Sequence, residues 1–416
     1  MLKNYLKIAF KVFLRRKFFT FISLFAISLT LVVLMVATAL IDHIFGPMPP
    51  ENKRDRTLGV FYAEMSGSRG SRGGNAGYAF LDRYVRNLPQ TDKVSVFSWF
   101  SQVNSYRGGE PIKLWLKHTD GAFWEILEFE FLEGGPFTAD DDRNANFVAV
   151  INEATRRKFF NDRPAVGQTI EADGQRFTVV GVVANVPFFR ILPFADIWTP
   201  MGTAKLRSDR AELVGNHLAM ILARDAADIP AIKSEFQARL SQVEFPDPKQ
   251  FNRFDSAAET FFEFTSRLFG TTDGKAQPQR LLAGLIIAAI LFMILPTVNL
   301  INLNISRIME RASEIGVRKA FGASSRTLVG QFIVESVLLS IIGGAIGFAL
   351  SHLTLRALTG SGLIPYADFQ LNYRIFLYGL ATAIFFGLFS GVYPAWKMSR
   401  LHPVAALNGS VQGGRR

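Results

Sequence analysis

The stretch FFTFISLFAISLTLVVLMVATALI, residues 18–41, decides the architecture of this chain because it contains no charged side chain. A helix rises about 1.5 Å per residue, so roughly 20 apolar residues cross the hydrocarbon core of a bilayer. This stretch is long enough, and it predicts a transmembrane helix near the start of the chain.

Three further apolar runs follow, at residues 281–305, 328–355 and 375–396, and only Glu335 and His352 interrupt the middle one. The pattern predicts a polytopic α-helical membrane protein with four transmembrane helices and a large mixed α+β extracytoplasmic domain between helices 1 and 2. The predicted order is an amphipathic helix at 1–17, helix 1 at 18–44, the extracytoplasmic domain with two subdomains at 45–280, helix 2 at 281–305, a coupling loop at 306–327, helix 3 at 328–355, a short extracytoplasmic loop at 356–374, helix 4 at 375–396 and a tail at 397–416.

The distribution of charge predicts the orientation. Residues 42–280 hold 29 basic and 31 acidic side chains, whereas the rest of the chain holds 17 basic and 4 acidic ones. Basic residues cluster at 1–17, 306–327 and 397–416, so the positive-inside rule places both termini and the coupling loop in the cytoplasm. The excess charge flanks apolar runs, which argues against nucleic acid as a partner.

The first apolar run has an alternative interpretation as a cleaved signal. Arg15-Arg16-Lys17 resembles a twin-arginine signal and Ala37-Thr38-Ala39 a cleavage site. A signal's apolar core usually has about 7–15 residues, so a retained anchor is favoured. The preceding helix carries an apolar stripe and a basic stripe, which favours a position in the inner headgroup region over a solvated lead-in. The basic stripe comprises Lys3, Lys7, Lys11 and Arg15.

The chain contains no cysteine and five scattered histidines, so neither disulfides nor a metal site is predicted. The run Asp140–Asp142 lacks the spacing of a calcium loop and predicts a solvated turn. The stretch Gly270–Lys275 is one residue too short for a phosphate loop. We therefore predict a chain that is not an enzyme and has no cofactor of its own.

Periodicity predicts several elements of the extracytoplasmic domain. Apolar residues at helical spacing indicate helices within Tyr78–Leu88 and from Ile229 onward, with Ile232 and Phe236 facing the core. Ile112–Leu116 and Phe147–Ile151 predict strands, and Arg176–Val186 predicts a strand pair or one bent strand. The glycine-rich stretch 67–74, GSRGSRGG, predicts a flexible loop.

The coupling loop carries the sequence ERASEIGVRKAFGASSR at residues 310–326, followed by QFIVES at 331–336 and GGAIG at 343–347. These motifs are similar to the signature of FtsX-like permeases of ABC systems, and most of all to the MacB branch. Residues 148–183 resemble a MacB-type periplasmic core domain, and residues 393–407 resemble the end of such permeases. The resemblance covers nearly the whole chain.

The resemblance implies an ABC permease subunit that works as a dimer, with a second copy or a homologous permease, in the bacterial inner membrane. MacB carries its ATPase ahead of the first span. Only seventeen residues precede Phe18 here, which implies a separate ABC ATPase subunit that binds ATP and Mg. A periplasmic adaptor and an outer-membrane channel are further partners that the resemblance leaves open.

The coupling loop also has the properties of a docking element. Ile308, Ala312 and Ile315 share a helical face among charged residues, and two glycines interrupt the helix. A solvated loop that only fixes topology is the alternative, and the resemblance favours docking. The residues predicted to contact the ATPase are Glu310, Glu314, Ile315, Gly316, Arg318, Lys319 and Gly322.

Small residues predict close helix packing within the membrane. The positions concerned are Gly343, Gly344, Gly347, Gly387 and Gly391. Glu335 is costly against lipid, so a structural or interfacial role is favoured over a proton relay.

The function predicted from the sequence is to couple ATP hydrolysis in a partner to movement of the extracytoplasmic domain and to export or extraction of an envelope substrate. The alternative is a regulator or sensor that transports nothing and controls an envelope hydrolase or a response to antimicrobial peptides.

Overall fold

The computed structural model describes residues 2–68, 70–161, 163–205, 212–268, 276–291, 317, 321, 324–369, 373–374, 376–381, 384–385 and 388. They form two compact units. The helical unit draws on residues 1–41, 282–363 and 368–416, and the α+β domain on residues 42–281 and 364–367.

The longer helices follow the apolar periodicity of the sequence, and the helices below are those with defined bounds among the described residues. In chain order they are α1 Leu2–Arg15, α2 Lys17–Phe45, α3 Tyr78–Phe80, α4 Ala122–Ile126, α5 Ala139–Arg143, α6 Glu153–Phe160, α7 Ile229–Leu240, α8 Phe261–Leu268, α9 Pro278–Leu291 and α10 Ser325–Gly360. Helix α3 continues as a π-helical turn over Leu81–Val85.

Thirteen strands lie in the described part of the α+β domain. They are β1 Thr57–Gly67, β2 Gly70–Ala76, β3 Thr91–Ser98, β4 Ser101–Arg107, β5 Glu110–Thr119, β6 Phe131–Gly134, β7 Val148–Asn152, β8 Thr169–Ala172, β9 Gln175–Val183, β10 Ile197–Pro200, β11 Val214–Gly215, β12 His217–Ala223 and β13 Arg253–Glu259. They form one mixed sheet in the order β11-β2-β1-β12-β3-β5-β10-β7-β9-β6, with β13 on β1, β4 on β5 and β8 on β9.

The sheet has two halves. One antiparallel half is built on β1 and β12, and helix α7 packs Ile232 and Phe236 into its core. The other half contains the parallel pairs β10–β5 and β7–β9. Between β3 and β5 the pairing rests on Phe97 opposite Thr119, so the halves meet at a narrow seam.

These elements confirm a large mixed α+β domain near the N-terminus. The predicted strand at 112–116 lies within β5, and the one at 147–151 overlaps β7, which begins one residue later. The stretch predicted as a bent strand or strand pair is β9, which pairs with β8 in a hairpin. Helix α7 lies where periodicity placed it.

The prediction of a flexible loop at residues 67–74 is wrong. Strands β1 and β2 form a hairpin there, with Gly67 opposite Gly70 and Ala63 opposite Gly74. A Cβ atom on Gly67 would lie 2.1 Å from the carbonyl oxygen of Gln250. Glycine therefore permits a close backbone approach, and backbone hydrogen bonds supply the order that side chains do not.

Within the described residues, two helices, Lys17–Phe45 and Val329–Gly360, are long and apolar enough to cross a membrane. They coincide with predicted helices 1 and 3, and the latter extends five residues into the predicted 356–374 loop. Most of predicted helices 2 and 4 lies outside the described residues, so the count of four stays a prediction.

Candidate coupling site of the α+β domain

A buried ion pair holds the chain where it leaves α2. Arg190, in the segment between β9 and β10, is completely buried, and its Nη1 lies 2.9 Å from Oε2 of Glu51. Its Nη2 donates to the carbonyl oxygen of Gly46 over 2.8 Å. A buried charge is tolerated only when it is paired, so these contacts fix residues 46–51 against the segment between β9 and β10 that contains Arg190.

Arg54 completes the same cluster. Its Nη2 lies 3.0 Å from Oε2 of Glu51, and Nη1 donates to the carbonyl oxygen of Ile44 in the last turn of α2. The guanidinium carbon also lies 4.5 Å from the centre of the Phe261 ring, at the start of α8. The final carbonyl groups of a helix lack partners within the helix and attract cations, so Arg54 caps α2 from within the α+β domain.

A buried lysine holds the neighbouring backbone. The ammonium group of Lys117, on β5, donates to the carbonyl oxygen of Ile191 over 3.0 Å and also to that of Leu192. It lies 5.3 Å from the centre of the Phe97 ring, within the range of a cation–π contact. Burial lowers the pKa of Lys117 well below its ordinary value, and the negative charge of Glu51 opposes this shift.

The segment Ile364–Ala367 also binds to the α+β domain. The Tyr366 hydroxyl donates to Oδ1 of Asp196 over 2.7 Å, and the Phe188 amide donates to the Pro365 carbonyl oxygen over 3.1 Å. Tyr366 has a φ of +59°, in the left-handed region that non-glycine residues seldom occupy. Burial and the Asp196 carboxylate raise the pKa of the Tyr366 hydroxyl, which keeps it protonated as a donor.

Asp196 connects that segment to the second half of the sheet. Its Oδ2 accepts from the Trp115 amide of β5 over 2.9 Å, and Oδ1 accepts from the Asn152 side chain over 3.0 Å. Asn152 also caps α6 by accepting from the Thr155 amide. The hydrogen bond of Tyr366 therefore ends on a rigid network of two strands and a helix.

Together these contacts form the candidate coupling site, which we define as Glu51, Arg54, Lys117, Arg190, Asp196 and Tyr366. Its side chains hold backbone carbonyl groups and one another. Among the described residues, no group of three or more His, Asp or Glu side chains is placed to bind a metal ion. The arrangement is suited to holding three chain segments together.

The residues predicted to contact the ATPase lie outside the described part of the chain. They are Glu310, Glu314, Ile315, Gly316, Arg318, Lys319 and Gly322, and the same holds for the packing residues Gly387 and Gly391. Val317 and Phe321, which lie between these residues in the sequence, are described, and they are 46% and 88% exposed.

The other three predicted packing glycines lie along α10. A Cβ atom on Gly343 would lie 2.7 Å from Cγ2 of Ile27, and one on Gly347 would lie 3.0 Å from Cβ of Leu31. Gly344 would meet Leu380 at 2.5 Å. Helix α2 therefore approaches α10 more closely than alanine would allow, while Glu335 is buried inside the helical unit.

No residue of the coupling site was predicted from the sequence. A signal for Arg190 was present, because it is a single charge in the apolar stretch VPFFRILPF at residues 186–194. Lys117 interrupts an alternating apolar strand in a similar way. Nothing in the local pattern marks Tyr366 or its partner Asp196.

Comparison with known proteins gives the family. A model of the MacB-like periplasmic core domain matches residues 20–239, and a model of the FtsX-like permease C-terminal segment matches residues 286–403. The macrolide export ATP-binding/permease protein MacB of Bdellovibrio bacteriovorus is 29% identical over 280 residues, which cover 65% of this chain and 40% of that protein.

A pyoverdine export ATP-binding/permease protein PvdT of Pseudomonas fluorescens is 30% identical over 298 residues, 69% of this chain and 42% of the relative. The crystal structure of the periplasmic region of MacB from Actinobacillus actinomycetemcomitans is 16% identical, with a TM-score of 0.38, and covers 53% of this chain and 98% of that one. The chain spans about 40% of the length of the curated relatives it matches. Because the core-domain model matches more than half of its residues and the permease model matches much of the remainder, this chain belongs to the MacB-like family of ABC transporter permeases.

Proposed function

We propose that this chain is the transmembrane permease subunit of an ABC exporter or mechanotransmission complex in the inner membrane of a bacterium, with its α+β domain in the periplasm. ATP and Mg are bound by a separate ABC ATPase subunit, and a second permease copy or a homologue completes a dimer. The observation that carries the proposal is the family match over both the core domain and the permease segment. Export is also the activity in the names of the relatives.

The coupling loop is the proposed contact with the ATPase. Val317 and Phe321 are large apolar residues exposed in this chain, within a segment rich in charge. Protein–protein interfaces place apolar and aromatic side chains such as that of Phe321 at their core, with polar residues around them. Ile315 is a further apolar residue of the same stretch of sequence, and we propose that the charges of Glu314 and Arg318 set the register of docking.

The coupling site is the proposed route by which movement reaches the periplasmic domain. Arg54 and Arg190 bind carbonyl groups at the end of α2, the helix of predicted span 1. Tyr366 belongs to the segment that follows α10, the helix of predicted span 3. The bonded groups are largely shielded from water, so they cannot exchange these partners for water molecules. Under the proposal, displacement of either segment therefore acts on the sheet through these hydrogen bonds.

Four spans are few for a solute tunnel, and the predicted spans show no polar lining. Under the proposal, the substrate is therefore moved from the far side of the membrane, with the periplasmic domain as the moving part. A periplasmic adaptor and an outer-membrane channel fit this scheme as further partners.

The decisive experiment disrupts the loop. The double substitution Ile315→Asp with Arg318→Glu is expected to release the ATPase during purification of the complex. A fully buried isoleucine stabilises an interface by about 1.5–3 kcal/mol, and reversal of a paired charge adds repulsion. The chain should still insert, because other basic residues of the loop keep its orientation.

The matched control places the same pair of changes, Leu363→Asp with Arg374→Glu, in the 356–374 loop, where Leu363 is exposed. This variant should keep the ATPase. If the 306–327 variant keeps its partner and its full ATPase activity, the loop is only a topological tether and the proposal is wrong.

A separate experiment tests the orientation of the chain in the membrane. Because the chain contains no cysteine, a single introduced cysteine is its only site of maleimide labelling. Single cysteines at Ser71, exposed on β2, and at Ser410 should differ in labelling by an impermeant maleimide on spheroplasts. Ser71 should react and Ser410 should not. Equal labelling contradicts the proposed topology.

Transport and regulation are separated by reconstitution of the complex in liposomes. An exporter should show ATPase activity that rises with an envelope fraction containing its substrate. It should also move a labelled component of that fraction. ATPase stimulation without movement of any component would favour the regulator.

A further inference from the structure

Helix α1 has a continuous basic stripe on its exposed surface. Lys3, Lys7, Lys11 and Arg15 recur every fourth residue, and all four are exposed. Residues four apart lie on one face of a helix, so the four cations form one line. In the described part of the chain, none of them forms an ion pair.

Apolar side chains lie in the same exposed surface. Phe10 is 52% exposed and Leu14 is 70% exposed, and helical geometry places both beside the basic stripe. Phe18, at the start of α2, is exposed to the same degree as Leu14. A surface that combines cations with exposed apolar side chains is costly in water and is typical of helices that lie in a membrane interface.

The opposite side of α1 is anchored to protein. Ala9 and Phe13 are buried in a cluster with Ile27 and Leu31 of α2 and Leu339 of α10. This packing fixes the rotation of α1 about its own axis. The basic stripe therefore has a constant direction, and it is available to a partner outside the helical unit.

We propose that the basic stripe of α1 binds the phosphate headgroups of anionic phospholipids, while Phe10 and Leu14 insert beside them into the same leaflet. The inference rests on the proposed function only in that the N-terminus lies on the cytoplasmic side. The charge complementarity is one-sided, because residues 1–17 hold six basic side chains and no acidic one. A basic cluster next to a membrane helix attracts anionic lipid by about fivefold per charge near the surface.

The test uses the full-length chain with a single cysteine, Leu14→Cys, labelled with a bimane fluorophore. The chain is reconstituted in vesicles of about four parts phosphatidylcholine to one part phosphatidylglycerol, in which a matched fraction of one lipid or the other carries bromine as a quencher. Quenching by brominated phosphatidylglycerol should exceed quenching by brominated phosphatidylcholine several-fold. High salt should reduce the difference, because it screens the headgroups.

Replacement of Lys3, Lys7 and Lys11 by Gln should bring the two quenching values together, and replacement by Arg should preserve the difference. Arg15, Arg16 and Lys17 remain in both variants to orient the helix. The matched control places three Gln substitutions at exposed basic residues of the α+β domain, Lys113, Lys249 and Arg253, and should leave the quenching ratio unchanged.

Equal quenching by the two lipids in the parent chain, or an unchanged ratio in the Lys→Gln variant, would overturn the inference. Loss of the ATPase from that variant with the lipid ratio unchanged would also overturn it, and would assign the stripe to an acidic protein surface. None of these results depends on the 306–327 loop, whose own variant tests the proposed function.

Discussion

The α+β domain and the helical unit differ in how far their phenylalanine side chains are exposed. Phe80, Phe97 and Phe123 of the domain are completely buried, whereas Phe21 and Phe25 of α2 are more than half exposed. Burial of a large apolar side chain from water is worth about 1.5–3 kcal/mol, so a soluble surface does not keep a row of exposed phenylalanines. The difference teaches that the two units are built for different solvents.

Polar groups show the same contrast. The α+β domain buries the charges of Arg190 and Lys117 and gives each of them several partners. The helical unit instead brings α2 against α10 at Gly343 and Gly347, where backbone and small side chains meet. In lipid the association of helices relies on close van der Waals contact, because apolar side chains gain little by leaving an apolar solvent.

The largest expected effect comes from Arg190→Leu, which leaves the buried Glu51 carboxylate with Arg54 alone. Breaking a buried pair costs about 3–5 kcal/mol. We expect a large fall in the urea concentration at the midpoint of unfolding, measured by tryptophan fluorescence on the full-length chain in detergent. The exposed pair Arg83–Glu244 supplies the control, since solvent screens it and Arg83→Leu should leave the urea midpoint nearly unchanged. Equal effects of the two changes would remove the distinction between the buried and the exposed pairs of the domain.

Gly343→Ala should have the next largest effect, and it should act on the helical unit. Its new methyl group would lie 2.7 Å from Ile27, and overpacking of this kind costs about 1–3 kcal/mol. Gly360→Ala is the control, because no atom lies within 4 Å of the added Cβ. Thermal loss of helical circular dichroism should occur earlier for Gly343→Ala alone. A shared midpoint would show that α2 and α10 separate freely.

Lys117→Met should change how stability depends on pH. The folded pKa of Lys117 is lowered, so the unfolded chain binds more protons at pH values between that pKa and about 10.4. Stability should rise with pH in this window, by at most about 1.4 kcal/mol per pH unit for one proton. The variant should lose this slope, and Lys113→Met, exposed on the same strand, should retain it. If the free energy of unfolding depends on pH in the same way for the parent chain, Lys117→Met and Lys113→Met, Lys117 stays protonated in the folded state.

Tyr366→Phe should give the smallest effect. It removes one hydrogen bond to Asp196, whose carboxylate keeps its donors on Trp115 and Asn152, and it leaves the ring in place. Hydrogen exchange at the amides of Tyr366 and Ala367 should become several-fold faster, while β5 and β7 stay protected. The control Tyr106→Phe, at an exposed tyrosine, should change neither the exchange rate in the 364–367 segment nor the protection of β5 and β7. If Tyr366→Phe accelerates hydrogen exchange equally across the whole sheet, the 364–367 segment does not open independently of the sheet.

Much of the α+β domain could be predicted from periodicity. Ile232 and Phe236 lie on one face of α7 because the apolar residues recur at helical spacing, and β5 alternates as a half-buried strand does. The hairpin at Gly67–Gly74 could not be predicted this way, because glycine has no side chain to carry a period. Its order comes from backbone pairing with distant segments.

The coupling site was beyond local reasoning for a related physical reason. Asp196 and Tyr366 are 170 positions apart, and Arg190 and Glu51 are 139 apart. Each partner alone is an ordinary polar residue, and only the topology of the sheet brings them together. The family, in contrast, could be predicted from the motifs of the coupling loop, while the contacts proposed for Ile315 and Arg318 remain predictions.

The place of Tyr366 in the chain has a consequence for biogenesis. A ribosome releases Asp196 long before it reaches Tyr366, and everything between them, including α10, must be made first. The α+β domain can therefore fold while Asp196 lacks its last donor. That hydrogen bond can form only after α10 has been synthesised. A domain cut off after residue 281 would therefore lack this hydrogen bond.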